Sequence, residues 1–152
     1  MTGAAYEIPR FECVELLRDS QVGHLGFISD GAPLVYPVSF RFELTPGHTE
    51  PVVVIRTRAH NALSGALGAA CLEVDSIDTD QHVAWSVLVR GELHRVWETA
   101  GIEPPEPWTP GRHEYLILEP TAISGRRFVA TTHPSPDGGY TVEWQFAGEQ
   151  HP

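Results

Sequence analysis

The stretch Val22-Gly23-His24-Leu25-Gly26-Phe27-Ile28-Ser29-Asp30-Gly31-Ala32-Pro33-Leu34-Val35-Tyr36-Pro37-Val38-Ser39-Phe40-Arg41-Phe42 decides the fold class. Asp30-Gly31 is a dipeptide favoured in tight hairpin turns because it tolerates positive φ. The runs on either side, Val22 to Ser29 and Leu34 to Phe42, read as its two strands. Pro33 and Pro37 interrupt the return strand. Proline has no N–H to give a ladder, so Pro37 predicts an edge, a bulge or a ligand site.

Upstream, Pro9 to Asp19 reads as a short helix. Phe11, Val14 and Leu17 recur at i, i+3, i+6, and Cys13 and Leu16 widen the stripe. Glu12 and Glu15 lie early and Arg18 late, as the helix dipole favours. Downstream, Thr45-Pro46-Gly47 turns into Val52-Val53-Val54-Ile55, a β-branched run typical of a buried strand. Ala59 to Ala70, rich in Ala and Leu, reads as a second helix. Strands follow at Cys71 to Val74 and Val83 to Val96. The segment Glu103-Pro104-Pro105-Glu106-Pro107-Trp108-Thr109-Pro110-Gly111 is too Pro-dense for helix or sheet. Tyr115 to Glu119 and Ile123 to Thr131 complete the strands, and Asp137-Gly138-Gly139 turns into an alternating Tyr140 to Phe146. Six or seven strands with short helices and frequent turns predict a mostly β barrel, with no βαβ alternation to suggest a doubly wound fold. No repeat or linker divides the 152 residues, so one domain is expected, with 132–152 as a C-terminal extension.

The formal charge of −10 opposes a nucleic-acid partner and docking to an anionic membrane. All ten basic residues are arginines, which removes Schiff-base catalysis on a lysine. The two cysteines, Cys13 and Cys71, have no metal-pair spacing and read as buried thiols. No signal peptide or membrane-length apolar run is visible, so a soluble, cytoplasmic protein is expected.

Catalytic motifs are scarce. None of the eight histidines forms an i, i+4 pair, so no metal site is expected. No Gly-x-Ser-x-Gly elbow surrounds any serine. The acidic stretch from Glu73 to Asp80 lacks the glycine and terminal glutamate of a calcium loop and reads as a solvated strand end. In Ile55-Arg56-Thr57-Arg58-Ala59-His60-Asn61, two arginines and a threonine sit where a strand hands over to a helix. Backbone N–H groups with a guanidinium beside them make an anion site. A surface arginine pair in an acidic protein explains the same residues, and spacing does not separate the two. In Trp85-Ser86-Val87-Leu88-Val89-Arg90-Gly91, Trp85, Val87 and Val89 share one strand face, which core packing accounts for.

The order of these segments resembles the pyridoxamine 5'-phosphate oxidase-like proteins: Val22-Gly23-His24-Leu25-Gly26, Gly31-Ala32-Pro33-Leu34-Val35-Tyr36-Pro37-Val38, Ile55-Arg56-Thr57, Leu72-Glu73-Val74-Asp75, then Trp85-Ser86-Val87-Leu88-Val89-Arg90-Gly91. The likeness runs from about Phe11 to Arg127, and Ile123-Ser124-Gly125-Arg126-Arg127 is similar to the small bacterial branch. It implies a split β-barrel of six or seven antiparallel strands, Greek-key-like, with two or three short helices. It also implies a homodimer binding FMN at the subunit interface, hence a flavoprotein, an FMN-dependent oxidoreductase on a small molecule. Tyr36, Pro37, Val38 and Ser39 would lie along the flavin ring. Arg56, Thr57 and Arg58, with Asn61 at the following helix, would hold the phosphate. Trp85 and Ser86 would reach the cofactor from the partner subunit.

Two departures qualify the likeness. The family usually carries a lysine shortly before the leucine matching Leu63, where this chain reads Asn61-Ala62. A lost charge-assisted contact is worth roughly 1.5–3 kcal/mol, and Arg58 is the substitute cation. Near the C-terminus, Arg126-Arg127-Phe128 stands where true pyridoxamine phosphate oxidases carry Arg-x-His, so vitamin B6 synthesis is not expected. The alternatives are a deazaflavin-dependent reductase, which needs a broad basic groove, and a non-catalytic module binding flavin or haem, with His60 or His24 as axial ligand.

Overall fold

A computed structural model describes residues 4–58, 63, 67–96 and 113–143. The hairpin that decides the fold class forms as expected. Strand β2 (Val22–Ser29) pairs antiparallel with β3 (Ala32–Glu43), and Ser29 opposes Ala32 across a two-residue turn. Asp30 and Gly31 in that turn have φ of 51° and 76°, the left-handed pair a primed turn needs. Strand β1 (Ala4–Glu7) and helix α1 (Arg10–Asp19) precede the hairpin. It is followed by β4 (Val52–Arg58), β5 (Gly68–Asp78), β6 (Val83–Val96), β7 (His113–Val129), β8 (Thr131–Pro134) and β9 (Tyr140–Glu143).

Seven strands form one antiparallel sheet in the order β1-β7-β4-β3-β2-β5-β6, and β6 also pairs with β7. The pairings of β7, β4, β3, β2, β5 and β6 thus run in a ring, as a barrel requires. Strands β8 and β9 make a separate hairpin. Alternation sends one face of each strand inward. Leu25, Phe40, Ile55, Leu72, Val87, Val89, Leu116 and Leu118 are all buried there. Helix α1 closes this core with Cys13 and Leu17, and its Glu12 meets Arg127 of β7 at 2.7 Å.

The structure corrects the sequence reading in several places. Pro33 and Pro37 do not interrupt β3. The Phe40 N–H donates to the Gln21 carbonyl at 3.0 Å, so even-numbered residues of β3 turn their backbone groups to β2 and odd-numbered ones turn away. Both proline nitrogens therefore face the other side, where β4 pairs only with residues 39–43. Among the described residues no strand pairs with that side of residues 32–38, which makes it an edge, one of the three settings Pro37 predicted. The two expected strands over 115–131 are one, β7, ending at Val129. A bulge absorbs the break: Arg90 opposes Ala122 and Gly91 opposes Pro120, leaving Thr121 over, and its hydroxyl donates to the Arg90 carbonyl at 3.2 Å.

Of the helix expected over residues 59–70, residues 68–70 are instead the start of β5 and pair with β6. Ladder hydrogen bonds outweigh a local Ala/Leu propensity. Residues 59–62 and 64–66 lie outside the described residues, as does the Pro-rich segment. Among the described residues there is one α-helix, and no helix is long and apolar enough to cross a membrane. Phe11, expected on the buried stripe of α1, is 69% exposed; the buried face is Cys13 and Leu17, one i, i+4 pair. Strand β1 was not expected at all.

Candidate functional site

Strands β3 and β4 part at Ser39, which opposes Arg56, the last registered pair between them. Beyond it β3 continues through Val38, Pro37 and Tyr36 along its open edge. Strand β4 continues through Thr57 and Arg58, paired instead with Glu114 and His113 of β7. Among the described residues the divergence leaves a notch between the two strands, and Arg56 stands at its base. Arg56 is also in register with Tyr115, forming a row Val22, Ser39, Arg56, Tyr115 and Val96 across five strands. The Arg56 guanidinium carbon lies 5.7 Å from the Tyr115 ring centroid, a cation–π contact.

Alternation sorts the remaining candidates. Val38 and Thr57 are buried on the interior side of the parting. Tyr36 is exposed and stacks on Phe27, with centroids 6.0 Å apart. Pro37 is exposed on the outer face, with its carbonyl turned to the open edge. Ser39 is buried at the pairing limit. A cation, a hydroxyl and backbone acceptors with no strand partner among the described residues thus share one notch, a set suited to an anionic group with a polar ring system beside it. Asn61 and His60 lie outside the described residues.

Trp85 and Ser86 do not join this group. They lie on β6, three strands from β3 in either direction round the ring. Trp85 packs against the core and opposes Ser76 and Arg127; Ser86 opposes Asp75 and Arg126. Sequence reasoning missed Tyr115, because its role depends on β4–β7 register rather than on local pattern. It also missed the partner of His24. His24 Nδ1 lies 3.4 Å from Glu73 Oε2 across β2 and β5. Burial pushes the Glu73 carboxyl above the usual carboxylate range, the hydrogen bond and charge of Asp75 add to this, and His24 opposes it. Among the described residues no group of three His, Cys, Asp or Glu is placed to hold a metal ion.

An antiparallel β-protein whose pairings close in a ring, with a cationic notch where two strands part, is the class that fold and site define. The chain belongs to the pyridoxamine 5'-phosphate oxidase family, whose sequence profile matches residues 9–127. No curated protein matches it in sequence. Its structure is similar to a candidate pyridoxamine 5'-phosphate oxidase from Corynebacterium glutamicum, with TM-score 0.65 and 23% identity over 85% of this chain and 97% of that one. It is similar to the FAD binding protein from Mycobacterium smegmatis, with TM-score 0.61 and 24% identity over 82% and 98%. An FAD and heme binding protein from the same organism superposes with TM-score 0.59 and 13% identity over 96% and 93%. At these identities the likeness establishes the fold.

Proposed function

We propose that this chain is an FMN-binding flavoprotein built on a split β-barrel, an FMN-dependent oxidoreductase acting on a small molecule in the cytoplasm as a homodimer. The parting of β3 from β4 carries the reading. It sets Arg56 beside an open, proline-marked edge, so one anchor for a phosphate and one rail for a ring lie in the same notch. The family and the flavin named for the Mycobacterium smegmatis neighbours support flavin as the ligand class.

In this reading Arg56 holds the phosphate, Tyr115 lies against the guanidinium, and Thr57 lends a hydroxyl. Ser39 and the carbonyls of the open edge offer polar contacts to the ring, while Tyr36 and Val38 pack beside it. A bound flavin supplies one- or two-electron transfer, for which the protein provides binding and orientation. Trp85 and Ser86 lie on β6, three strands from β3 round the ring, and in this reading they serve the notch of a second copy. The outer face fits a second copy: a shallow groove of about 530 Å³ holds Gly26, Ile28, Val35 and Cys71, and Ile28 and Val35 are largely exposed.

The visible spectrum of the purified protein, followed by titration with FMN and FAD, tests this. Flavin bands with saturable FMN binding are expected. No flavin bands and no binding would overturn the assignment, and a Soret band would give the site to haem.

A further inference from the structure

Resting on the flavin reading, a second function follows for the outward face of β2. His24 is the registered partner of Pro37, the residue that lines the notch on β3. The hydrogen bond from Phe40 to Gln21 sets the phase of the ladder, so His24 and Pro37 are a pair that exchanges no hydrogen bonds, which suits a proline. Such pairs bring side chains closest, with Cα atoms roughly 4.5 Å apart. Both side chains are on the outer, exposed face.

His24 is also oriented. Its Nδ1 sits 3.4 Å from Glu73 Oε2, which leaves Nε2 to point elsewhere. The residues facing it are Val35, Pro37 and Ser39 from β3 and Cys71, Glu73 and Asp75 from β5. Of these, Glu73 and Asp75 are acidic, and they compete: the Glu73 carboxyl is raised by burial and by Asp75, and is eased by a proton on His24. His24 thus stands on β2, one strand from the ring-binding strand, and the carboxylate that orients it stands on β5, two strands away.

We infer that His24, oriented by Glu73, is a catalytic acid–base residue that holds and exchanges the proton required beside the flavin. Reduction of a polar double bond in a substrate needs a hydride at one atom and a proton at the other. With a flavin bound, a nicotinamide-class donor would supply the hydride, which carries both electrons, and the protein would supply only the proton. The imidazolium of His24 gives the proton to the substrate heteroatom, becomes neutral imidazole, and takes a proton back from water.

The test follows the visible band of protein-bound FMN across the pH range in which imidazole titrates, in wild type, His24→Gln and Glu73→Gln. Wild type is expected to show a band shift with a single midpoint. His24→Gln should lose that shift while still binding FMN. Glu73→Gln, which no longer fixes Nδ1 through a carboxylate, should still bind FMN and show a band shift of altered amplitude. A His24→Gln protein with the wild-type pH response, or a Glu73→Gln protein with the wild-type band shift, overturns the inference and leaves the flavin reading intact. A wild type that binds no FMN overturns both.

Discussion

Arg56 illustrates how a single side chain divides into a legible and an illegible half. That an arginine at a strand end suits an anion is a local property, and the pattern Arg56-Thr57-Arg58 shows it. That its guanidinium lies over Tyr115 depends on two strands 59 positions apart in the chain meeting in register, which no local pattern encodes. Three substitutions separate these contributions. Arg56→Ala should weaken FMN by about one to two orders of magnitude, the value of a lost charge-assisted hydrogen bond of roughly 1.5–3 kcal/mol. Tyr115→Leu should weaken it about 2- to 30-fold, from a cation–π contact of roughly 0.5–2 kcal/mol, and Tyr115→Phe should retain it. Fluorescence titration with FMN and with riboflavin distinguishes anchoring from general damage. Riboflavin lacks the phosphate, so its affinity should be unchanged in all three variants.

Elements were legible where local signals coincide with tertiary ones. Strand β2 and strand β6 have the bounds their alternation predicts, because inward and outward faces match the pleat. Strand β7 was read as two because Pro120 and Thr121 break the pattern, and only the partner strand reveals the bulge. Gly91 makes that bulge possible: a Cβ there would lie 1.8 Å from the Glu119 carbonyl oxygen, a backbone atom with little room to move. Gly91→Ala should therefore cost about 1–3 kcal/mol or more of stability in denaturant unfolding. A wild-type midpoint would show that the two strands separate more easily than this contact implies.

The connection between β3 and β4 is tied to the same place. His48 Nε2 lies 2.8 Å from Glu119 Oε1, Thr45 Oγ1 lies 2.7 Å from His48 Nδ1, and His94 Nε2 approaches Glu119 Oε2 at 3.4 Å. The His48 hydrogen bond holds the Glu119 carboxyl below its ordinary range, with His94 assisting against a small burial effect. A depressed carboxylate contributes stability above its unfolded value and loses it as pH falls through the folded one. The pair is solvent-exposed, so the effect is small. Glu119→Gln should lower the melting temperature slightly at neutral pH and match wild type in acid.

At the scale of the whole molecule, the ring of pairings separates residues that the family likeness brings together. Ser39 lies on β3, and Trp85 and Ser86 both lie on β6, opposite it in the ring. A second copy resolves this only if its β6 meets the first copy's notch, which requires a face that two chains of charge −10 can share. Val35 is suited to that face. It is 66% exposed, stands on the open half of β3, and adjoins the groove of Gly26 and Cys71. Contacts about a twofold axis are self-complementary, so one substitution there acts twice. Val35→Glu should be nearly neutral for the isolated chain, as exposed substitutions are, yet it would place two unpaired carboxylates in a desolvated interface of an already acidic pair. Light scattering should give wild type twice the chain mass of 16.8 kDa and the variant that mass alone. FMN binding should fall with dimerisation, because the notch loses the partner's Trp85 and Ser86. A folded monomeric Val35→Glu protein that binds FMN as tightly as wild type would show that one chain completes the site, and wild type at 16.8 kDa would remove the need for a partner.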